Sequence, residues 1–407
     1  MKRVLQLLLI PIFLTLFIFS CTKERFTTSP DAKLETSVDS LHFDTLFTTT
    51  GSTSQFIKLI NNNSEGIHVS SVRIAGGASS PFKINVDGLA GPEVNNVDVA
   101  ANDSAYVYVT VTINPNASNL AFIVRDSIEV DYNGNKKFIQ LDAFGQNAHF
   151  FRNRTIASNE VWNNDLPYVI LDKLTVAPTG TLTVNKGCRV YMHADAPLII
   201  DGTLKVNGEK YDSTRVVFTG DRLDLPYSAF PASWPALVFT DASKDNVLNY
   251  AIIKNAYEGI IAVGQNMGTK LTLNECIIDN IYQEGIWAIN TSINARNLLV
   301  SNCGINLSVQ GGGNYSFTHC TVATISNAYI QHKKPVLILS DYFKQNGVTN
   351  IFPLSANFTN CIFWGDNNGF VENEIVIDRK AISGSISFNG VLWRVKTEPS
   401  NILVTGN

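Results

Sequence analysis

At 407 residues the chain is longer than one hydrophobic core usually spans, so two domains or one elongated array of small units is expected. Only 16% of its residues are charged and the formal net charge is −4, which excludes the basic surface of a nucleic-acid binder and the charge density of a disordered chain. Abundant Gly, Asn, Thr and Ser around short Val- and Ile-rich runs predict an all-β protein.

The opening segment "MKRVLQLLLIPIFLTLFIFSC" carries a basic pair, Lys2-Arg3, and an apolar run from Val4 to Phe19 broken by Pro11. The run is short for a bilayer span and has no basic flank after it, which predicts a cleaved export signal over residues 1–20. Ile18-Phe19-Ser20-Cys21 resembles a bacterial lipobox, with Phe19 departing from the smaller residues that motif prefers. The resemblance implies that Cys21 is acylated, becomes the first mature residue and tethers the protein to a membrane; an ordinary signal peptide or an uncleaved anchor is the alternative. Several acyl chains hold a protein on a bilayer durably. Thr22 is not Asp, so nothing in the motif implies inner-membrane retention, and an outer-membrane lipoprotein of the bacterial cell envelope, open to the cell surface, is the expectation. Residues 21–32 are polar and Pro-containing, as in a flexible tether.

Between residues 33 and 147, seven stretches alternate apolar and polar residues: "SLHFDTLF", "SQFIKLINNN", "IHVSSVRI", "PFKINV", "SAYVYVTVTI", "RDSIEVDY" and "KKFIQLDAF". Alternation buries one face of each strand, and Asn133-Gly134 between the last two predicts a tight hairpin. Seven such strands imply a two-sheet sandwich. The stretch resembles the immunoglobulin-like modules of bacterial surface proteins, without the Cys and Trp pair of antibody domains.

Beyond residue 155 the pattern becomes a repeat. Ala251, Cys276, Asn297, Cys320 and Cys361 align at separations of 25, 21, 23 and 41, the last about two units. Gly259-Ile260, Gly285-Ile286 and Gly304-Ile305 restart an apolar run in step with them. Short strands at a period of roughly 20 to 25 residues predict stacked coils, about ten in all and on the order of 50 Å long. "LTVAPTGTLTVNKGCRVYMHADAPLIIDGTLKVNG" resembles the first coils of right-handed parallel β-helix proteins of the pectate lyase-like class, and the resemblance implies that fold over residues 155–407. The strand residues Val176, Leu182, Val184, Val190, Leu198, Ile200, Leu204 and Val206 are expected to face inward. Cys276, Cys320 and Cys361 share one coil position, so a packed column of thiols is expected rather than disulfides, and zinc is not, because no ligand spacing is present. The chain stops at "NILVTGN" without an obvious polar cap, so either the array continues or a partner covers its end.

For function, the β-helix resemblance implies sites built from clustered Asp/Glu, with calcium in the lyases and paired Asp in the hydrolases. Their familiar motifs, such as Asn-Thr-Asp and Gly-His-Gly, do not occur here, and Arg394-Val395-Lys396 reads as a solvated face. His193 beside Asp195 reads as a surface pair, His332-Lys333-Lys334 as a solvated corner, and Trp287 and Trp364 as packing residues. The candidate site is the Pro-rich insertion over 220–234, where Asp221, Arg222, Asp224, Tyr227 and Trp234 could grip a sugar through charges and ring faces. The blander alternative packs Trp234 onto the coil and leaves Asp221-Arg222 as a local ion pair. "DSL", "DTL", "DSA", "DSI" and "DST", at 39, 44, 103, 126 and 212, resemble an O-glycan acceptor pattern of some Gram-negative bacteria. The reading leans away from catalysis: a non-catalytic surface scaffold, or a protein binding polysaccharide or another surface protein. A polysaccharide lyase or glycoside hydrolase with an unfamiliar site, and an adhesin, are the alternatives. No cofactor is expected, calcium only if the enzyme alternative holds.

Overall fold

The computed structural model describes residues 24–116, 121–264, 268–366, 369–381, 383–400 and 402–406. The leader and Cys21 lie outside the described residues. The chain is all-β, in two compact units that divide after Gln146.

The first unit is a β-sandwich. One sheet holds Gly66–Ile74, Phe122–Tyr132, Asn135–Gln146 and Ser40–Phe47; the other holds Gln55–Asn61, Asp103–Val111 and Phe82–Val86. All seven expected strands form, and their alternate residues, among them Ile57, Val69, Val107, Ile128 and Ile139, make its core. Asn133 and Gly134 both take positive φ, +45° and +73°, between the paired Tyr132 and Asn135, as a tight hairpin of the type I′ class requires. Glu93–Val99 is a further strand that alternation missed. Asn96 sits there at φ +59°, between the pairs Ser71↔Asn95 and Val69↔Val97, so an irregularity hides the period. The expected tether needs correction over its described part: Phe26–Thr27 pairs in parallel with Gly66–Ile67, and Ala32 packs against the core. Backbone hydrogen bonds and two apolar side chains outweigh the polar composition that suggested a free linker.

The second unit is a parallel β-helix. Its first face stacks His149–Phe151, Tyr168–Ile170, Arg189–Met192, Val216–Gly220 and Ala251–Lys254 on the starts of two long bent strands, Ile277–Arg296 and Leu299–Thr318. Thr321–Thr324, Ile362–Gly365 and Leu392–Trp393 continue it, so ten coils are stacked among the described residues, the number the period predicts. Each long strand runs through all three faces of its coil. Strands of three to five residues cannot fold singly. They are held because all eight inward residues from Val176 to Val206 are fully buried between neighbouring coils, and each such aliphatic side chain contributes about 1.5–3 kcal/mol.

The corner from third to first face is turned by one left-handed residue per coil: Tyr250, Glu275, Asn297, His319 and Asn360, with φ of +51°, +57°, +48°, +56° and +52°. The register therefore moves one expected member of the column. Leu298, not Asn297, stacks between Cys276 and Cys320; Asn297 is the corner itself. Cys320 and Cys361 lie on adjacent coils, and Cys188 belongs to the same column at its N-terminal end, over Val216 and Ala251. The second marker also has a steric cause. A Cβ on Gly259 would collide with the carbonyl oxygen of Gly285 one coil on, so only glycine allows the coils to close at this corner.

Cys188, Cys276, Cys303, Cys320 and Cys361 are all free and buried, with thiols directed at backbone carbonyls, for example Cys276 Sγ at 3.3 Å from Leu248 O. Burial pushes the Cys188 thiol up to about 11 and the Cys276 thiol up to about 12. These five thiols are expected to resist iodoacetamide in the native protein and to react only in denaturant; labelling of any one at the native rate of an exposed thiol would contradict this packing.

Lys270 is fully buried, and its Nζ donates to the carbonyls of Thr240 (2.8 Å), Asp241 (3.0 Å) and Ser243 (2.9 Å). It ties the loop after Leu237–Phe239 to the following coil through three charge-assisted hydrogen bonds.

Candidate functional site

Two insertions leave the helix at the same corner, between first and second face, four coils apart. The first, residues 221–233, follows Val216–Gly220; the second, residues 325–336, follows Thr321–Thr324. The coils between them turn that corner on left-handed asparagines, Asn255, Asn280 and Asn302 (φ +64°, +57° and +51°). These form a ladder: Asn280 Nδ2 donates to Asn255 Oδ1 at 2.9 Å, and Asn302 Nδ2 to Asp279 Oδ1 at 2.9 Å. The ladder also holds the first insertion, because Asn255 Nδ2 donates to Ser228 O (2.8 Å) and Asn280 Nδ2 to Ala229 O (2.9 Å). Phe230 and Tyr329, one from each insertion, meet with ring centroids 5.0 Å apart. The insertions thus arch over the corner. A cavity of about 450 Å³ runs along the asparagine ladder, lined by Lys254, Asp279 and Tyr329, and one of about 300 Å³ is lined by Tyr282, Gln283, Tyr329, Lys333 and Lys334.

The expected site residues separate into three roles. Arg222 chelates Asp224 (Nε to Oδ1 2.7 Å, Nη2 to Oδ2 2.6 Å) and lies 3.9 Å above the Tyr227 ring, which packs edge-on against Phe230. These three residues therefore brace the arch. The Arg222 hydrogen bonds hold the Asp224 carboxyl below its usual range. Asp221 pairs with His193 (2.7 Å), not with Arg222, so both ion pairs proposed from adjacency, Asp221-Arg222 and His193-Asp195, are corrected. Stacking supplies the partner from the next coil instead: Met192 pairs with Gly220, which brings the residues that follow them, His193 and Asp221, side by side. Trp234 is fully buried in the coil interior, its indole N–H donating to Lys254 O at 2.9 Å. It cannot offer a ring face to a ligand, which corrects its place among the candidates.

Sequence reasoning missed the residues at the centre of the corner. Glu258 and Glu284 occupy equivalent positions on adjacent coils, just before Gly259 and Gly285, and both are partly buried. The Glu284 N–H donates to Glu258 Oε2 at 2.8 Å, which holds the two residues together across the coils. Burial, together with the neighbouring Glu284 carboxyl, pushes the Glu258 carboxyl up to about 8 despite the Glu284 N–H bond and the pull of Lys334. At neutral pH Glu258 therefore keeps its proton. Beside it stand the half-exposed rings of Tyr257 and Tyr282, 5.5 Å apart, with Gln283 Nε2 reaching the Tyr257 hydroxyl at 3.4 Å. The signal available in the sequence was the repeated "YEGI" and "YQEGI", which aligns glutamate as well as glycine and puts a tyrosine one or two residues before each glutamate.

Two further expectations are corrected here. His332 is not on a solvated corner but 1% exposed, and Arg394 is not on a solvated face but bonded to Glu374 (Nη1 to Oε1 2.9 Å), because both turn inward beneath the second insertion. Trp364, expected in packing, is 44% exposed. Among the described residues no group of three or more His, Cys, Asp or Glu is disposed to hold a metal ion.

No protein-family model matches the sequence, and no curated protein matches it. Among solved structures the chain is similar to the catalytic unit of a GH87 α-1,3-glucanase from Streptomyces thermodiastaticus, at 9% identity over 83% of this chain and 73% of that one, TM-score 0.29. It is similar to the Agl-KA catalytic domain at 9% identity over 87% and 89%, TM-score 0.28. A family 123 glycoside hydrolase from Clostridium perfringens is matched at 12% identity over 28% of this chain and only 26% of its own length, TM-score 0.20. At these values the likenesses assign no activity and no site residue to this chain.

Proposed function

We propose that the β-helix binds an extended polysaccharide in the arched corner groove and hydrolyses it, with the Glu258–Glu284 pair as proton source. The single observation that carries the reading is two partly buried glutamates stacked on adjacent coils, joined by the Glu284 N–H bond to Glu258 Oε2 and set beside half-exposed tyrosines at the corner that the two insertions arch over. Half-exposed tyrosine rings suit the apolar faces of pyranoses, and Lys254, Asp279 and Gln283 suit their hydroxyls. In the hydrolytic step the glycosidic C–O bond breaks, and the Glu258 proton passes to the leaving oxygen. The ionised carboxylate of the pair takes a proton from the attacking water, whose oxygen bonds the anomeric carbon. In the cell, by this proposal, the protein is carried on acylated Cys21 at the outer membrane, the sandwich serving as an immunoglobulin-like spacer; the leader and lipobox of the sequence support that part.

A second reading, binding without turnover, is favoured by the stacking of the two glutamates on adjacent coils, where the Glu284 N–H bonds Glu258 Oε2 at 2.8 Å and strands about 4.8 Å apart leave less space than the acid and base or nucleophile of glycosidases ordinarily keep. A polysaccharide panel separates the two. Release of reducing ends supports hydrolysis; retention without release supports binding. In either case Tyr329→Ala is expected to weaken retention at least about tenfold, the loss of one stacked ring. Unchanged retention by that variant would remove the groove from consideration.

A further inference from the structure

The second insertion is held down by a buried ionic network that nothing in the hydrolytic step uses. His332 lies at the base of the segment that carries Tyr329, Lys333 and Lys334. Its Nδ1 lies 2.8 Å from Asp366 Oδ1 and its Nε2 2.9 Å from Glu374 Oε2, so both ring nitrogens face carboxylates of the next coil. The Glu374 side chain is fully buried and Asp366 is 26% exposed. Asp366 grips the insertion twice, at the His332 ring and through its other oxygen, which accepts the Ser326 N–H at 3.0 Å; within the insertion Ser326 Oγ accepts the backbone N–H of His332 at 3.1 Å. Arg394 from the coil beyond bonds Glu374 Oε1 (2.9 Å) and the carbonyls of Asp366 (3.0 Å) and Val371 (2.9 Å). The space is made by Gly365, where a Cβ would run into the His332 ring and the Glu374 carboxylate.

An imidazole can donate from both nitrogens only when it is protonated. We infer that His332 is a proton-dependent latch: as imidazolium it clamps the 325–336 insertion onto Asp366 and Glu374 and closes the arch at Phe230–Tyr329, and loss of that proton frees the insertion and opens the groove. The inference concerns the regulation of the proposed glycan site and rests on that reading for its purpose, though not for its mechanism. The charged groups bonded to His332 include Asp366 and Glu374 and, through Glu374, Arg394. Burial alone would depress the histidine; the hydrogen bonds and charges of Glu374 and Asp366 outweigh it and hold it above its ordinary 6.5. A raised histidine contributes its full stabilisation below the unfolded value and loses it as pH rises through the folded one. The latch is therefore closed below the ordinary histidine value of 6.5 and released as pH rises through the higher folded value. Neutral imidazole keeps one N–H, so the other carboxylate is left facing a lone pair in a buried site.

Amide hydrogen exchange of the full chain, corrected for the intrinsic pH dependence of exchange, tests this without any glycan. Between pH 6 and pH 9, protection of residues 325–336 is expected to fall at least about tenfold, while the long strands 277–296 and 299–318 keep theirs. His332→Gln and the more exposed Asp366→Asn should each abolish the pH response of that segment, leaving it open at both pH values. Gly365→Ala, which keeps every charge but fills the ring's place, should do the same. A pH-independent wild-type segment, or an unchanged pH response in His332→Gln, would overturn the latch. A responding segment in a protein that retains no polysaccharide would leave the latch standing and overturn only the glycan reading.

Discussion

Glu258→Gln is expected to lower polysaccharide hydrolysis by about 10²- to 10⁴-fold, the usual worth of a positioned acid, while leaving retention on the same polysaccharide in place. The amide keeps the shape of the protonated carboxyl, and its oxygen can still accept the Glu284 N–H, so the corner should fold as before. The stability of the protein supplies an independent check, because the Glu258 carboxyl is raised from 4.5 to about 8 in the folded chain. Between those values the folded state binds a proton that the unfolded state has released, so stability falls as pH rises through the interval and the full penalty is present above pH 8. Each unit is worth ~1.4 kcal/mol. With screening at a partly exposed pair the interval amounts to on the order of 2 kcal/mol. Calorimetry should show wild type and Glu258→Gln with similar Tm at pH 5, and the variant more stable at pH 9. Parallel pH profiles for the two proteins would rule out a proton kept on Glu258 at this corner.

Lys270→Met should be the most damaging single change to the β-helix, destabilising it by on the order of 3 to 5 kcal/mol. Methionine fits the stem of the lysine, but it leaves the carbonyls of Thr240, Asp241 and Ser243 buried with their charged donor gone. Since coils are stabilised mainly by their neighbours, the loss should be felt locally first, as faster exchange over residues 237–249 and 271–274 before global unfolding. Lys270→Arg, which keeps the charge but not the compact ammonium, should recover only part of it. An unchanged Tm in Lys270→Met would mean that these carbonyls are satisfied in another way.

The stacking of the second unit was legible at the level of residues. Short apolar runs at a fixed period, with glycine at the same place on two coils, Gly259 and Gly285, admit one solution in which each strand covers the next; the expected third marker is out of step, since Asn306 and not Gly304 stacks on Gly285. The offset at Asn297 shows the limit of such an alignment: two adjacent leucines made two registers nearly equal by eye, and only the ladder Cys276, Leu298, Cys320 decided between them. The sandwich was legible for the same reason wherever alternation was strict, and lost at Asn96, where a left-handed residue interrupts it. The site was legible only at its margin. Arg222, Asp224 and Tyr227 do stand in the arch, but as its braces, and Trp234 belongs to the core.

What the sequence determined by itself was periodicity: which residues face inward, where each coil turns, and that the thiols stack. These depend on neighbours along the chain and on a repeat that returns every coil. What only the tertiary structure decided was which polar groups meet across coils. Glu258 with Glu284, His332 with Asp366 and Glu374, and Phe230 with Tyr329 are separated by 26 to 99 residues, yet each pair is brought together by the stacking. A polar side chain carries no periodic signal of its own, because the energy that fixes it comes from burial beside one particular partner.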